Sequence, residues 1–558
     1  MRALPRRLGA SVVACCLGSL SAAADETRPA TAPAIRLNTV GFRPGRPMVA
    51  TVAGGVGKFQ VRRLADGAVV WEGELSPPRD NADTGESLST ADFSALGAPP
   101  AGAYELTVDH GGERVQFQID DQLYRQPFRL ATRAMYLWRC GVPVAGEHDG
   151  CHFEHGPCHL EDALLEFVGG GNERLDCTGG WHDAGDYNKY VVNAGATVGV
   201  MLRAWIDFGP AMETVPLDIP KADPALPDFL AEVKWELDWL LTMQAADGSA
   251  YHKVSAKNFG GMIPSDQDAD PRFVVPWSSV ATADFTAMMA QAARVYRPYD
   301  AAFADQCLAA AQRSYAFLQA HPQEHAADQT EFQTGRYESA DDDDRLWAAA
   351  ELWETSGSDA LLVDLEQRIA ASPNVDVDWD WQNLKNLGLL TYLFSERPGR
   401  NAELVARIRK SCIAAADDMA ASSLAHGYAR PLGTTYYWGC NGTVARQSLA
   451  LQAAYRLTGN ATYQNVTLDG INHLLGRNYF GRSFVTGLGQ RPPMHPHDRQ
   501  SEGDAVEPPW PGYLVGGANP GAADWHDRME DYRTNEIAIN WNGALIYALA
   551  SQLEPNQQ

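Results

Sequence analysis

The chain has 558 residues, enough for two or more domains and a large core. Its 45 Lys+Arg against 70 Asp+Glu leave a net charge of −25, which argues against nucleic acid or an anionic membrane as partner and suits a neutral polymer. Aromatic residues reach 9%, with 15 Trp, a supply that a sugar-binding cleft or a large core would use.

Arg2, Arg6 and Arg7, an apolar stretch from Leu8 to Leu20, and Ala22-Ala23-Ala24 together resemble an export signal over residues 1–24. The apolar run is too short to cross a bilayer, and nothing later resembles a transmembrane helix. The protein is therefore expected to be secreted or periplasmic, with a lipid anchor on Cys15 as the lesser alternative. Residues 25–34, rich in Pro, Thr and Ala, read as a flexible leader.

From 35 to 122 the texture is β. Runs at Met48–Val52, Lys58–Leu64, Ala68–Glu72, Ala103–Val108 and Arg114–Ile119 lie between Gly, Pro and Asp-Gly turns. About seven such strands predict a small β-sandwich. No catalytic constellation falls there, so its role is packing, and its removal is expected to bare apolar surface on the rest of the chain.

From 123 to 558 the apolar spacing turns helical. It predicts about a dozen helices: Phe128–Trp138, Val191–Phe208, Pro224–Gln244, Val280–Tyr296, Ala301–Gln319, Leu346–Thr355, Asp359–Ala370, Leu387–Phe394, Ala402–Ala421, Val444–Leu457, Ala461–Leu475 and Ile537–Leu553. The fold class is mainly α. Among the cysteines, Cys140, Cys151, Cys158 and Cys177 crowd together, which in an exported protein admits a disulfide, a metal site or both. Cys307 and Cys412 lie in helical stretches and are expected to be buried and inert.

Three stretches carry chemistry. Gly179–Tyr190, GGWHDAGDYNKY, sets Asp183 and Asp186 three apart in a glycine-rich turn. Trp181, Tyr187 and Tyr190 add flat apolar faces that suit sugar rings. A hydrolase that splits an acetal needs one carboxylate to activate water and a second group to protonate the departing oxygen. Taken alone, such a turn is more often a helix cap or a calcium loop. The second stretch is Trp525–Gly543, WHDRMEDYRTNEIAINWNG; the third is Ser483–Arg499, SFVTGLGQRPPMHPHDR.

In this order, over roughly 35–553, these stretches resemble the signatures of glycoside hydrolase family 9, the inverting cellulases, in the branch with an N-terminal immunoglobulin-like domain. Gly543 and Cys440 depart from the residues commoner at their positions. The resemblance implies an (α/α)6 barrel, with Glu536 as general acid, Asp186 as base, Asp183 holding the water, and Asp527 tuning or positioning the acid. It places His497, Arg499, Tyr532, Trp438, Asn441 and Trp181 on the substrate. Glu536 falls near an expected helix start, capped by Thr534 or Asn535, where the helix dipole favours the ionised form. Burial against Tyr532 or Trp541, and repulsion from Asp527, would have to outweigh it.

Cys140, Cys158, His159 and His182 offer two thiolates and two imidazoles. By sequence alone this admits disulfides or zinc; the resemblance favours structural zinc, which leaves a Cys151–Cys177 disulfide as the expectation for the remaining pair. Ser339, Asp343 and Asp344 lie in a run of acids that is either a solvated helix start or, as the resemblance implies, a calcium site. No organic cofactor is expected. The expected substrate is a β-1,4-linked glucan or cello-oligosaccharide, cleaved by a monomeric, endo-acting cellulase. An exo-acting cellodextrinase, cellobiohydrolase, β-glucosidase or exo-glucosaminidase is the alternative if the segment His148–Cys177 walls off one end of the cleft. A carbohydrate-binding scaffold without turnover is the distant one.

Overall fold

The computed structural model describes residues 33–109, 112–165 and 173–554. The export signal with Cys15, and most of the leader, lie outside the described residues.

Nine strands form the N-terminal sandwich: β1 (Ile35–Arg36), β2 (Gly41–Phe42), β3 (Val49–Ala53), β4 (Lys58–Arg63), β5 (Val69–Glu74), β6 (Arg79–Asn81), β7 (Glu86–Asp92), β8 (Gly102–Val108) and β9 (Arg114–Ile119). They make two sheets, ordered β1-β3-β7-β6 and β2-β9-β8-β4-β5. Alternation decides which side chains go inside: Phe59 and Val61 on β4, and Phe117 and Ile119 on β9, are buried, while their neighbours face outward. Phe42 packs edge-on at 5.3 Å against both Phe93 and Phe117, closing the core. Strands β1, β2 and β6 are too short, and β7 too polar, to have shown a period of two.

The helices then alternate between an inner and an outer layer. Along α2 (Val191–Met212), α4 (Ser279–Tyr296), α6 (Asp342–Ser356), α8 (Lys385–Phe394), α10 (Cys440–Arg446), α11 (Ser448–Thr458) and α15 (Ile539–Ala550), most residues are buried on all faces. With α10 and α11 forming one helix jointed at Gln447, these are the six inner helices. The outer six are α1 (Arg125–Leu137), α3 (Asp228–Thr242), α5 (Ala301–Ala320), α7 (Asp359–Ala371), α9 (Ala402–Ala425) and α12 (Ala461–Leu474). α9, for example, buries only the stripe Leu404, Ile408, Cys412, Ala415, Ala416 and Met419, with Ser423 at its end. The architecture is an (α/α)6 barrel behind a β-sandwich. Two helix expectations are corrected. Val444–Leu457 is two segments beginning at Cys440. The last helix starts at Ile539 because residues 536–538 are extended and paired with other loops.

At the barrel mouth lie the hairpin β10 (Val144–His148)–β11 (Cys151–His155), the sheet β12 (Lys189–Tyr190)–β13 (Tyr251–Ala256)–β14 (Arg272–Trp277), and the short helices α13 (Arg499–Gly503) and α14 (Tyr532–Asn535). No helix among the described residues is long and apolar enough to cross a membrane.

Sandwich and barrel have separate apolar cores. Their junction is polar. Thr39 N–H and hydroxyl both reach the Leu475 carbonyl (2.9 and 2.7 Å), Asn38 pairs with Asn472, and Thr51 donates to the Gly427 carbonyl (3.0 Å). Asp83 accepts from Tyr436 (2.6 Å) and from His426 (3.0 Å). These hydrogen bonds accompany apolar contact: Val40 of the sandwich packs against the barrel core.

Candidate active site

The three chemistry-bearing stretches meet edge to edge. Ala184 bridges Ala538, His497 bridges Glu536, and Val515 bridges Ile537. Ile539 N–H donates to the Asp183 carbonyl (2.9 Å) and Arg499 N–H to the Gly185 carbonyl (3.1 Å). Glycine is required here by close approach. A Cβ on Gly185 would lie 2.2 Å from the His497 carbonyl oxygen, and one on Gly180, at φ 75°, would lie 2.7 Å from the Trp239 ring.

Asp183, Asp186 and Glu536 line one cleft of about 410 Å³, with Tyr190, Tyr337, Trp381 and Trp438 around them. Asp183 is buried, accepting from Asn193 (2.7 Å) and the Tyr337 hydroxyl (2.7 Å). Burial first, then the Asp186 charge, push its carboxyl up to about 8 against those two hydrogen bonds. Asp186 accepts on one oxygen from Asn188 and the Tyr190 hydroxyl (3.0 Å), leaving the other buried without a partner. That oxygen is free to take a proton from a bound water.

Glu536 does not begin a helix. It ends α14 in an extended conformation (φ −69°, ψ 155°), so the dipole argument is corrected. Its carboxyl is held well above the ordinary range by burial, then by the charges of Asp186 and Asp183; the Trp438 side chain and the Gly185 backbone pull the other way. The largest charged influences on it are thus Asp186 and Asp183 and not Asp527. Asp527 pairs with Arg482 (2.7 Å) and accepts from the backbone N–H groups of Met494 and His495, fastening the loop that carries His497.

His497 spends Nδ1 on the Met529 carbonyl (2.6 Å) and lies beside Tyr532, with ring centroids 5.9 Å apart. The Arg499 guanidinium sits over the rings of Tyr187 (5.7 Å) and Phe259 (5.9 Å) and makes no ion pair among the described residues. Trp438 and Tyr532 form an exposed edge-to-face pair at 5.3 Å. Two substrate expectations are corrected. Trp181 is 1% exposed, its indole N–H given to Glu232 (2.9 Å). Asn441 is also 1% exposed, its side-chain amide given to the Val515 carbonyl (3.0 Å). Both support the cleft from behind.

Sequence reasoning missed Tyr337, Asn193, Phe259, Asp380 and Trp381. Only the last two had a visible signal, the alternation of acids and tryptophans in 375–382.

Behind the aspartate turn, Cys140, Cys158, His159 and His182 place one donor atom each within 4.8 Å of one another. The Cys158 sulfur lies 4.0 Å from that of Cys140 and 3.7 Å from His182 Nε2, and Cys140 lies 3.6 Å from His159 Nδ1. The edges of a zinc tetrahedron with ordinary bond lengths are about 3.5–3.8 Å, so the donor set fits a metal ion. The other ring nitrogen of His159 faces Asp268 at 3.7 Å, an outer partner of the kind that orients metal-bound imidazoles. Cys151 and Cys177 are both free, which corrects the expected disulfide. Cys151 faces the Glu507 carbonyl, and Cys177 is fully buried. Cys307 and Cys412 are buried thiols pushed up to about 12 by that burial.

Ser339 Oγ and both carboxyl oxygens of Asp344 are buried without hydrogen-bond partners. Asp343 instead accepts from the Leu384 N–H. Asp344 faces Asp284 of α4, also buried with both oxygens unpartnered, and both carboxyls are raised well above the ordinary range, chiefly by burial. Unpaired oxygens of this kind fit a cation at Ser339 and Asp344 better than at Asp343.

Comparison with known proteins agrees in both parts of the chain. Residues 124–549 match the family model for glycosyl hydrolase family 9, and residues 30–113 match that for the cellulase N-terminal Ig-like domain. Endoglucanase D of Acetivibrio thermocellus is 52% identical over 526 residues, covering 94% of this chain and 84% of its own. A xyloglucan-specific endo-beta-1,4-glucanase of Bacteroides ovatus is 32% identical over 580 residues, covering 96% and 97%. The solved structure of AaCel9A in complex with cellobiose-like isofagomine superposes with a TM-score of 0.83 at 31% identity, covering 93% and 99%.

Proposed function

The chain belongs to glycosyl hydrolase family 9, and from that membership we propose that it is an exported, endo-acting, inverting cellulase that cleaves β-1,4-glucosidic bonds in cellulose or a related β-glucan. The observation that carries this reading is the convergence of Asp183, Asp186 and Glu536 in one aromatic-lined cleft.

Asp186 takes a proton from water through its unpartnered oxygen, while Asp183, fixed by Asn193 and Tyr337, holds that water. The water attacks the anomeric carbon in a single displacement as Glu536, kept protonated by burial and by the two aspartates, gives its proton to the leaving oxygen. His497 and Arg499 bind sugar hydroxyls, and Trp438 and Tyr532 stack on rings. Asp527 acts at one remove, through the loop that carries His497.

Zinc on Cys140, Cys158, His159 and His182 would be structural, since four protein ligands leave no position for water. Calcium would be held by Ser339, Asp343 and Asp344, of which Ser339 and Asp344 offer the unpartnered oxygens. The enzyme acts as a monomer.

The test is a time course of cellohexaose cleavage, resolving chain length and product anomer, for wild type and Glu536→Gln. Mixed early products of inverted configuration, lost in the variant, are expected. Stepwise release of glucose or cellobiose would move the protein to the exo class. Binding without cleavage by wild type would leave only a scaffold.

A further inference from the structure

Lys253 is a buried cation that the mechanism above does not use. It is fully buried on β13, directly across from Tyr190 of β12 in the sheet register. No carboxylate lies within ion-pair distance of its ammonium among the described residues. The ammonium donates to the Gly335 carbonyl (2.8 Å) and to Thr334 Oγ1 (3.2 Å), and it lies over the rings of Phe332 (4.8 Å) and Tyr190 (5.5 Å). Burying a cation without an ion pair is costly, so a structural purpose alone would be served better by an apolar residue.

Its neighbours explain its place. Gly335 N–H donates to the Tyr190 hydroxyl (3.1 Å), which in turn donates to Asp186 (3.0 Å). Two residues along the same loop, Tyr337 donates to Asp183 (2.7 Å). One ammonium thus fixes the loop that supplies the Tyr337 hydroxyl to Asp183 and steadies, through the Gly335 N–H, the Tyr190 hydroxyl on Asp186. Asp186 is also the strongest charged influence favouring its protonated form. Glu338 acts in the same sense and Arg336 against it, while burial draws the group down to about 7. His252, the preceding residue, is held neutral by burial.

We propose that Lys253 is a positioning residue for the catalytic base: it holds the 334–337 loop, whose Gly335 N–H fixes the Tyr190 hydroxyl that donates to Asp186 and whose Tyr337 hydroxyl donates to Asp183. This rests on the assignment of Asp186 as base.

The test compares wild type, Lys253→Met, Lys253→Arg and Thr334→Val on cellohexaose, measuring kcat and KM, with melting temperature as a check on folding. Lys253→Met should lose about 10–100-fold in kcat with KM changed less than about twofold, and Lys253→Arg, which can still donate to the loop, should recover part of that loss. If Lys253→Met does not fold, Thr334→Val, which removes one of the two acceptors of the ammonium, should lower kcat while leaving KM in place, and a wild-type kcat there overturns the proposal. A folded Lys253→Met with the wild-type kcat overturns the proposal alone. A wild type that cleaves no glucan overturns the proposed function and this inference with it.

Discussion

Glu536 and Asp183 owe their raised protonation to the same two causes, burial and the charge of Asp186. Removing the Asp183 charge should therefore make Glu536 easier to ionise. Asp183→Asn keeps an acceptor for one of the two hydrogen bonds but weakens the hold on the water, so kcat should fall about 100-fold. Because the acid must stay protonated, the alkaline limb of kcat/KM should move to lower pH, and an alkaline limb that stays fixed would remove Asp183 from the electrostatics of the acid. Glu236 allows a cleaner reading of stability. Buried on α3, it accepts from the Trp181 backbone N–H (2.6 Å), and burial pushes it up to about 8. In the unfolded chain such a carboxyl ionises near about 4. Between these values the unfolded state has released a proton that the native state keeps, so stability falls as pH rises. Glu236→Gln should flatten that fall, gaining on wild type in chemical denaturation from pH 5 towards pH 8, with little difference near pH 4.

The turn from Gly179 to Tyr190 is held from behind by the four-donor cluster, because His182 immediately precedes Asp183. Zinc removal should therefore act on both stability and catalysis. Elemental analysis should give one zinc per chain. Chelation, or Cys158→Ser, should lower the melting temperature and cellohexaose turnover together, and added zinc should rescue the chelated wild type. Full activity in a zinc-free protein would separate the cluster from the turn. The cluster was legible in sequence because two Cys, two His and the aspartate turn fall within a short stretch. The helices were legible for a similar reason: their apolar spacing is strong, and the expected bounds lie within a few residues of those observed in α4, α5 and α7. Glu536 was misplaced because helical spacing in 537–553 runs on into residues that tertiary bridges hold extended. Trp181 and Asn441 looked like sugar contacts because residue type signals chemistry and not direction. Lys253 and Tyr337 gave no signal, since what matters in each is one contact with a residue far along the chain.

The polar junction between sandwich and barrel decides what the sandwich does. Its loss would strand the Leu475 and Gly427 carbonyls, Asn472, His426, Tyr428 and Tyr436, all of which take partners from the sandwich. Each such hydrogen bond contributes about 0.5–1.5 kcal/mol net, and a whole domain is stable by only about 5–15 kcal/mol. A chain beginning at residue 123 should therefore fail to fold stably, with no cooperative thermal transition near that of the full protein. One contact in the junction also reaches the cleft. Asp83, in the turn between β6 and β7, holds His426 and Tyr436 at the foot of the segment whose Tyr437 and Trp438 line the cleft. Burial opposes the Asp83 charge, but these two donors outweigh it and hold the carboxyl down to about 2. Its contribution should therefore be present across neutral pH and be lost only as pH falls towards that value. Asp83→Ala should cost about 1–3 kcal/mol in chemical denaturation. It should also raise KM for cellohexaose more than it lowers kcat, since the residues displaced are the ones proposed to bind rings, not those proposed to move protons. A variant that loses stability while keeping KM would make the sandwich a support for the barrel and nothing more; a raised KM makes it a part of the substrate site, acting through one carboxylate.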